Sequence, residues 1–237
     1  MEYFCNFIWE QGLREKNEDS LCIRQITKDG RSYLLAAVCD GIGGLAEGEN
    51  ASSYVVNSML ETLKRQLKKK ENITERKICN LFCRGIYQCH RMLLNYGKER
   101  QIRLGTTISM VFITERRGYM FHIGDSAVFY GKRKLKRRST IQHTDSGALL
   151  QAVGIGDIPP IEYRQFRIQK GTVILLASDG FYKRCEKEIC STAWLKEVVC
   201  DEMKIGELLQ KIKDRVLALG EKDNISVICI KCGGNSY

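Results

Sequence analysis

Leu34-Leu35-Ala36-Ala37-Val38-Cys39-Asp40-Gly41-Ile42-Gly43-Gly44 drives six apolar residues straight into a carboxylate and a glycine-rich turn. An unbroken apolar run of this length predicts a strand buried on both faces. A layer must therefore cover it on either side. The glycines at 41, 43 and 44 permit tight turns that a Cβ would forbid. The pattern returns in VILLASDGFY, 173–182, which runs into Asp179-Gly180. A third carboxylate, Asp223, opens the apolar run DNISVICI, 223–230. A carboxylate at the end of a buried strand sits at the rim of a dry sheet, where its charge is costly unless something positive compensates.

Outward from these runs, the spacing predicts strands over 3–9, 21–27, 33–39, 106–113, 119–123, 127–130, 162–168, 172–177 and 225–230. Lys28-Asp29-Gly30, Gly124-Asp125 and Gln169-Lys170-Gly171 supply turn chemistry between neighbours. Tyr54, Val55, Met59, Leu63 and Leu67 fall at helical spacing and predict a helix over 49–69. Thr74 is placed to cap a second, 75–96, with Ile78, Phe82, Ile86, Cys89 and Leu93 on its apolar side. A last amphipathic helix covers 205–219. Strands in blocks with short connections imply antiparallel pairing. The order is α+β, unlike the strict alternation of a doubly wound sheet. Two sheets packed face to face, with helices outside each, would bury every apolar surface. The two prolines are adjacent, Pro159 and Pro160, and no linker composition appears, so 1–237 reads as one domain.

The N-terminus shows no basic and apolar leader, and no uncharged run approaches the roughly 18 residues of a membrane span. The expectation is a soluble, cytoplasmic monomer. Eleven cysteines, several inside apolar patterns, read as reduced small hydrophobes. Cys229-Ile-Lys-Cys232 has no second pair to complete a zinc tetrad. The net charge of +10 is partly local: Lys132 to Arg138 reads KRKLKRR, and Lys68 to Lys70 adds three lysines. That run reads as a solvated hairpin edge in preference to a nucleic-acid surface, because no aromatic residues interleave it.

In an antiparallel sandwich, Asp40 and Asp179 at strand ends and Asp223 and Glu18-Asp19 at strand starts would gather at one edge. Asp125, in the turn after 119–123, could join them. An all-oxygen set without His or Cys selects hard cations, Mg²⁺ or Mn²⁺. Three or four carboxylates exceed what one ion needs. Two ions would balance them and hold a bridging water, which becomes a nucleophile at neutral pH.

Six motifs then stand in series: Arg14-Glu-Lys-Asn17-Glu18-Asp19, Asp40-Gly41-Ile42-Gly43-Gly44, Gly105-Thr106-Thr107, Gly124-Asp125-Ser126, Ala177-Ser178-Asp179-Gly180 and Asp223-Asn224. Spread over 12–230, they resemble the metal-dependent, type 2C serine/threonine protein phosphatases in their compact bacterial form. The resemblance implies a four-layer α/β/β/α sandwich with two Mn²⁺ or Mg²⁺ ions at one end of the central sheets. It implies that Asp40 bridges both ions, that Asp179 and Asp223 complete the first site, and that Glu18 and the Gly41 carbonyl serve the second. Arg14 takes the place of the phosphate-binding arginine. Asp19 and Asn224 would support these ligands, and Asp125 is the candidate for a third ion. The implied reaction is hydrolysis of phosphoserine and phosphothreonine in phosphoproteins by a metal-bridging hydroxide, with a Ser/Thr kinase and its targets as partners.

The sequence departs from the family pattern in two places. Ile42 stands where some members carry a histidine proposed as general acid, and His143 is only a distant substitute. Between Thr140 and Gly154 the flap of the family is short or missing, which argues against a third ion and for an open cleft. The rival reading is a pseudophosphatase that senses or scaffolds; the intact Asp40, Asp179 and Asp223 set argues against it.

Overall fold

The computed structural model describes residues 1–43, 45–69, 74–141, 151–201 and 203–233. Gly44, Lys70, His143 and most of the shortened flap, 142–150, lie outside the described residues. In chain order the elements are β1 (Tyr3–Glu10), β2 (Asp19–Lys28), β3 (Arg31–Asp40), α1 (Gly48–Lys68), α2 (Glu75–Arg100), β4 (Ile108–Ile113), β5 (Arg117–Ile123), β6 (Ala127–Gly131), β7 (Lys136–Arg137), β8 (Glu162–Arg167), β9 (Val173–Ala177), α3 (Asp179–Tyr182), α4 (Glu186–Ile189), α5 (Thr192–Cys200), α6 (Ile205–Ala218) and β10 (Ile225–Cys232). They build two five-stranded sheets, ordered β1-β10-β9-β6-β7 and β2-β3-β4-β5-β8. Every strand pairing among the described residues is antiparallel.

Successive side chains of a strand point to opposite faces, and β3 uses both. Leu35, Ala37 and Cys39 pack with Val55, Met59 and Leu63 of α1 and Phe82 and Ile86 of α2. Leu34, Ala36 and Val38 face the other sheet, meeting Ile174, Leu176, Ile228 and Ile230. The far face of that second sheet, through Val173, Leu175, Val227 and Cys229, is covered by α5 and α6 through Trp194, Leu195, Leu209 and Ile212. Three apolar interfaces between four layers make the α/β/β/α sandwich that the sequence suggested.

The differences are local. Helix α5 was not anticipated; Ser191 caps it by accepting from the Trp194 amide at 3.1 Å, and three buried side chains are all that marks its nine residues. Helices α3 and α4 are single turns too short to leave a periodicity. The sequence pattern predicts Thr106 in a strand, but it makes only isolated bridges to Gly41 and Val153. Helix α2 runs past Tyr96 to Arg100, where Gln101 turns left-handed at φ 56°. Thr74 does cap it, accepting from the Lys77 amide. The basic run is the β6–β7 hairpin at a sheet edge. There Arg137 pairs with Glu186 and Arg138 lies over the Tyr130 ring. All eleven cysteines are free thiols. No described helix is long and apolar enough to cross a membrane.

One buried polar cluster fixes the crossover from β5 to β6. His122 is fully buried. Its Nε2–H faces the Gly124 and Thr140 carbonyls, each at 3.1 Å, while its Nδ1 accepts from the Ser109 hydroxyl at 3.0 Å. Burial lowers its pKa below the usual value, against the opposing pull of Glu162 and the carbonyls. The unfolded chain therefore binds the proton more readily. The stability this ring contributes is present above about pH 6.5 and lost as the pH falls. In urea titrations the gap between wild type and His122→Gln should narrow on acidification; a constant gap from pH 8 to 5 would contradict a neutral ring.

Candidate active site

Asp19 opens β2 and Asp40 ends β3, and the two are register partners. Cross-strand partners share a face, and the alternation of β3 turns position 40 toward the space between the sheets. Asp40 is anchored by its backbone. Its amide donates to Thr107 Oγ1 at 3.1 Å, and its carbonyl accepts from Thr106 Oγ1 and the Thr107 amide, each at 2.8 Å. Burial pushes its carboxyl pKa well above the usual range, and the charges of Asp19, Asp179, Asp125 and Asp223 push it further. Asp19 is 1 % exposed, and neither of its carboxylate oxygens has a hydrogen-bond partner. Burial raises it to about 7; the hydroxyls of Ser226 and Ser178 pull it back only in part, neither meeting hydrogen-bond geometry.

Glycine lets the chains approach here. A Cβ on Gly41 would lie 2.6 Å from the carbonyl oxygens of Glu18 and Gly48, and the Gly41 amide donates to Glu18 O at 3.1 Å. The loop that carries Arg14 is tied down by Asn224. Its Oδ1 accepts from the Glu18 amide at 2.9 Å, and its Nδ2 donates to the carbonyls of Gln11 and Lys16. Gly12, at φ +65°, lies flat on Asp223, whose carbonyl oxygen a Cβ would meet at 2.1 Å. Arg14 then forks onto the Asp223 carboxylate, Nε to Oδ1 at 3.0 Å and Nη2 to Oδ2 at 2.8 Å. Charge-assisted pairs of this bidentate form are the strong ones.

Asp179 was expected at a strand end and instead heads helix α3, two residues beyond the end of β9. The Ser178 amide donates to Ser226 O, which binds that turn to β10. Gly180 fits under Asp223, whose Cβ would stand 3.2 Å from any Cβ placed there. Asp125 sits at the crossover between the sheets after Gly124, at φ +110°. Its carbonyl accepts from the buried Tyr182 hydroxyl at 2.8 Å. Lys183, which sequence reasoning missed, reaches back to Asp179 Oδ2 at 2.6 Å and stands 3.7 Å from Asp125 Oδ2. Burial disfavours its charge, but Asp179, Asp125 and Asp40 more than offset this and raise its pKa. The i, i+4 spacing of Asp179 and Lys183 was the available signal, legible only once a helix is known to start at the aspartate.

Glu18, Asp19, Asp40, Asp125, Asp179, Asp223 and Asn224 thus form one rim at the end of the inter-sheet space. Arg14 engages Asp223 and Lys183 engages Asp179. Among the described residues no three His, Cys, Asp or Glu side chains stand close enough to hold an ion as they are. The donor chemistry still fits hard divalent ions, because every candidate donor is an oxygen. The buried, unpartnered Asp19 carboxylate and the mutual repulsion around Asp40 are what such a charge would relieve. Beside Ile42 and Gly43 the rim opens into a groove of about 470 Å³, which Leu45, Arg103, Asp157 and Pro160 help to line.

A family model described as Protein phosphatase 2C matches residues 14–212. Among curated proteins none matches the sequence. The fold is similar to the serine/threonine phosphatase Stp1 from Staphylococcus aureus, with TM-score 0.82 and 20% identity over 99% of this chain and 96% of that one. It is also similar to the S. agalactiae serine/threonine phosphatase, at TM-score 0.79 and 17% identity over 97% and 99% of the two chains. The Mycobacterium tuberculosis serine/threonine phosphatase PstP/Ppp gives TM-score 0.75 and 20% identity over 98% and 99%. At such identities the likeness speaks for the fold, while the family match extends from Arg14 through Asp179 to α6. The chain belongs to the protein phosphatase 2C family.

Proposed function

We propose that this phosphatase hydrolyses phosphoserine and phosphothreonine in proteins, with two Mn²⁺ or Mg²⁺ ions at the carboxylate rim. Asp40, Asp179, Asp223, Glu18 and the Gly41 carbonyl would hold the ions, with Asp19 and Asn224 behind them. The single observation that carries this reading is the rim itself: carboxylates from both sheets converge around Asp40, and one of them is buried without a partner. When bound, the ions supply charge to neutralise phosphoryl oxygens and to lower the pKa of a water.

The chain's own residues do the rest. The Arg14 fork matches two phosphoryl oxygens as well as it matches Asp223, so the guanidinium transfers from carboxylate to phosphate when substrate enters. Water attacks phosphorus in line, and the seryl or threonyl oxygen leaves with the P–O bond electrons. Both described histidines, His90 and His122, are fully buried, and position 42 is Ile. With no described histidine free to act as an acid, the leaving oxygen in this reading takes its proton from solvent, to which the attacking water gives up one of its own. The 470 Å³ groove beside Gly43 has room for the residues that flank the phosphorylated one.

The whole chain serves as one catalytic unit in this reading. Its free cysteines suit a reducing cytoplasm, with a Ser/Thr kinase and its targets as the natural source of substrate. A pseudophosphatase is the less favoured reading, since every rim carboxylate is present. The test is hydrolysis of a phosphothreonine peptide by the full chain. Activity should vanish in EDTA and return with excess Mn²⁺; turnover that survives the chelator would refute the reading.

A further inference from the structure

The short helix α3 is held rigidly. Phe181 and Tyr182 are buried in the core beneath it, and Tyr182 packs edge-on against Phe129. Its hydroxyl ties it to the crossover through the Asp125 carbonyl. The next residue, Lys183, donates its own amide to Asp179 O at 3.0 Å, so its side chain starts one turn above that carboxylate. The ammonium folds back onto Asp179 Oδ2 at 2.6 Å and stands 3.7 Å from Asp125 Oδ2. One of those carboxylates heads α3 and the other sits in the crossover between the sheets, and they are only 18% and 13% exposed. A single positive charge therefore lies between two shielded acids.

We propose that the Lys183 ammonium takes the place of a divalent ion between Asp179 and Asp125. It is a built-in cation that leaves no place for a further metal between these two carboxylates, beyond the two ions proposed above. The inference rests on the reading of the rim as a divalent-cation site. An ammonium donates to carboxylate oxygens in the position a hard ion would take, and two like charges cannot share it. Arg14 does not play this part, because it grips one carboxylate and has a phosphate to receive.

The test is calorimetric titration of Mn²⁺ into EDTA-treated, dialysed full chain. Lys183→Met should bind one ion more per chain than wild type, and its remaining sites should tighten by about tenfold as a neighbouring like charge is lost. Lys183→Arg, which keeps the charge, should bind the wild-type number. Lys183→Met with Asp125→Asn should lose the extra ion. Lys183 is substantially exposed, so the substitution spares the core; thermal unfolding in EDTA checks this directly. Equal ion counts in wild type and Lys183→Met would overturn the proposal, even if affinity rose. If neither protein binds Mn²⁺, the metal reading of the rim fails and this inference falls with it.

Discussion

Asp40→Asn is expected to lower kcat/KM toward a phosphothreonine peptide by a factor of about 10³ or more, while leaving the fold intact. The backbone that positions this residue is untouched, because its amide and carbonyl are held by Thr106 and Thr107 and not by its side chain. The loss is confined to one charge and the acceptor capacity that goes with it. Removing a single preorganised electrostatic contact from a site that stabilises developing charge typically costs 10²–10³. Asp40 faces the other carboxylates of the rim, so its removal should cost at least that much. Stability should move the other way. Burial and four neighbouring carboxylates raise the Asp40 pKa in the folded chain. A raised carboxyl favours folding below its unfolded pKa, and that contribution is lost as the pH rises. In EDTA the Asn variant should therefore gain on wild type, in urea midpoint, as the pH climbs from about 4. Retained turnover, or a variant less stable than wild type at pH 7.5, would mean that Asp40 is an ordinary turn residue.

Arg14→Ala should reduce kcat/KM by roughly 10²-fold, mostly through KM, while Mn²⁺ binding persists. Hydrogen bonds to charged groups contribute about 1.5–3 kcal/mol, and the guanidinium offers two of them to a phosphate. Deleting it also frees Asp223 from a bidentate partner, so ion affinity should hold or rise. Arg14→Lys should recover part of the loss, because an ammonium restores the charge without the planar fork. Steady-state kinetics beside Mn²⁺ calorimetry separate the two roles. A drop in ion affinity with KM unchanged would show that Arg14 orders Asp223 and does not meet the phosphate.

Much of the framework behind this rim was legible in the sequence. Apolar runs ending on Asp-Gly gave the strand ends, and antiparallel pairing brought Asp40, Asp179 and Asp223 to one edge. Helical spacing located α1, α2 and α6 because each is long enough to show its period. Helices α3 and α4 escaped because a single turn has no period to read, and α5 because three buried side chains define it. The sandwich was foreseeable for a similar reason: a strand apolar on both faces demands two covering layers.

The amino-acid order by itself determined which residues are apolar, where the chain must turn, and that the acids flank the apolar runs. Those properties belong to neighbours along the backbone. Only the tertiary structure decided what each charge faces. Glu18 and Asp19 are adjacent and chemically alike, yet the register with Asp40 buries one completely and leaves the other half-covered. Arg14 meets Asp223 across 209 positions, and Lys183 meets Asp125 only because the crossover from β5 to β6 lies beside α3. Electrostatic energy depends on distance and burial through space, and neither is written in the spacing of letters.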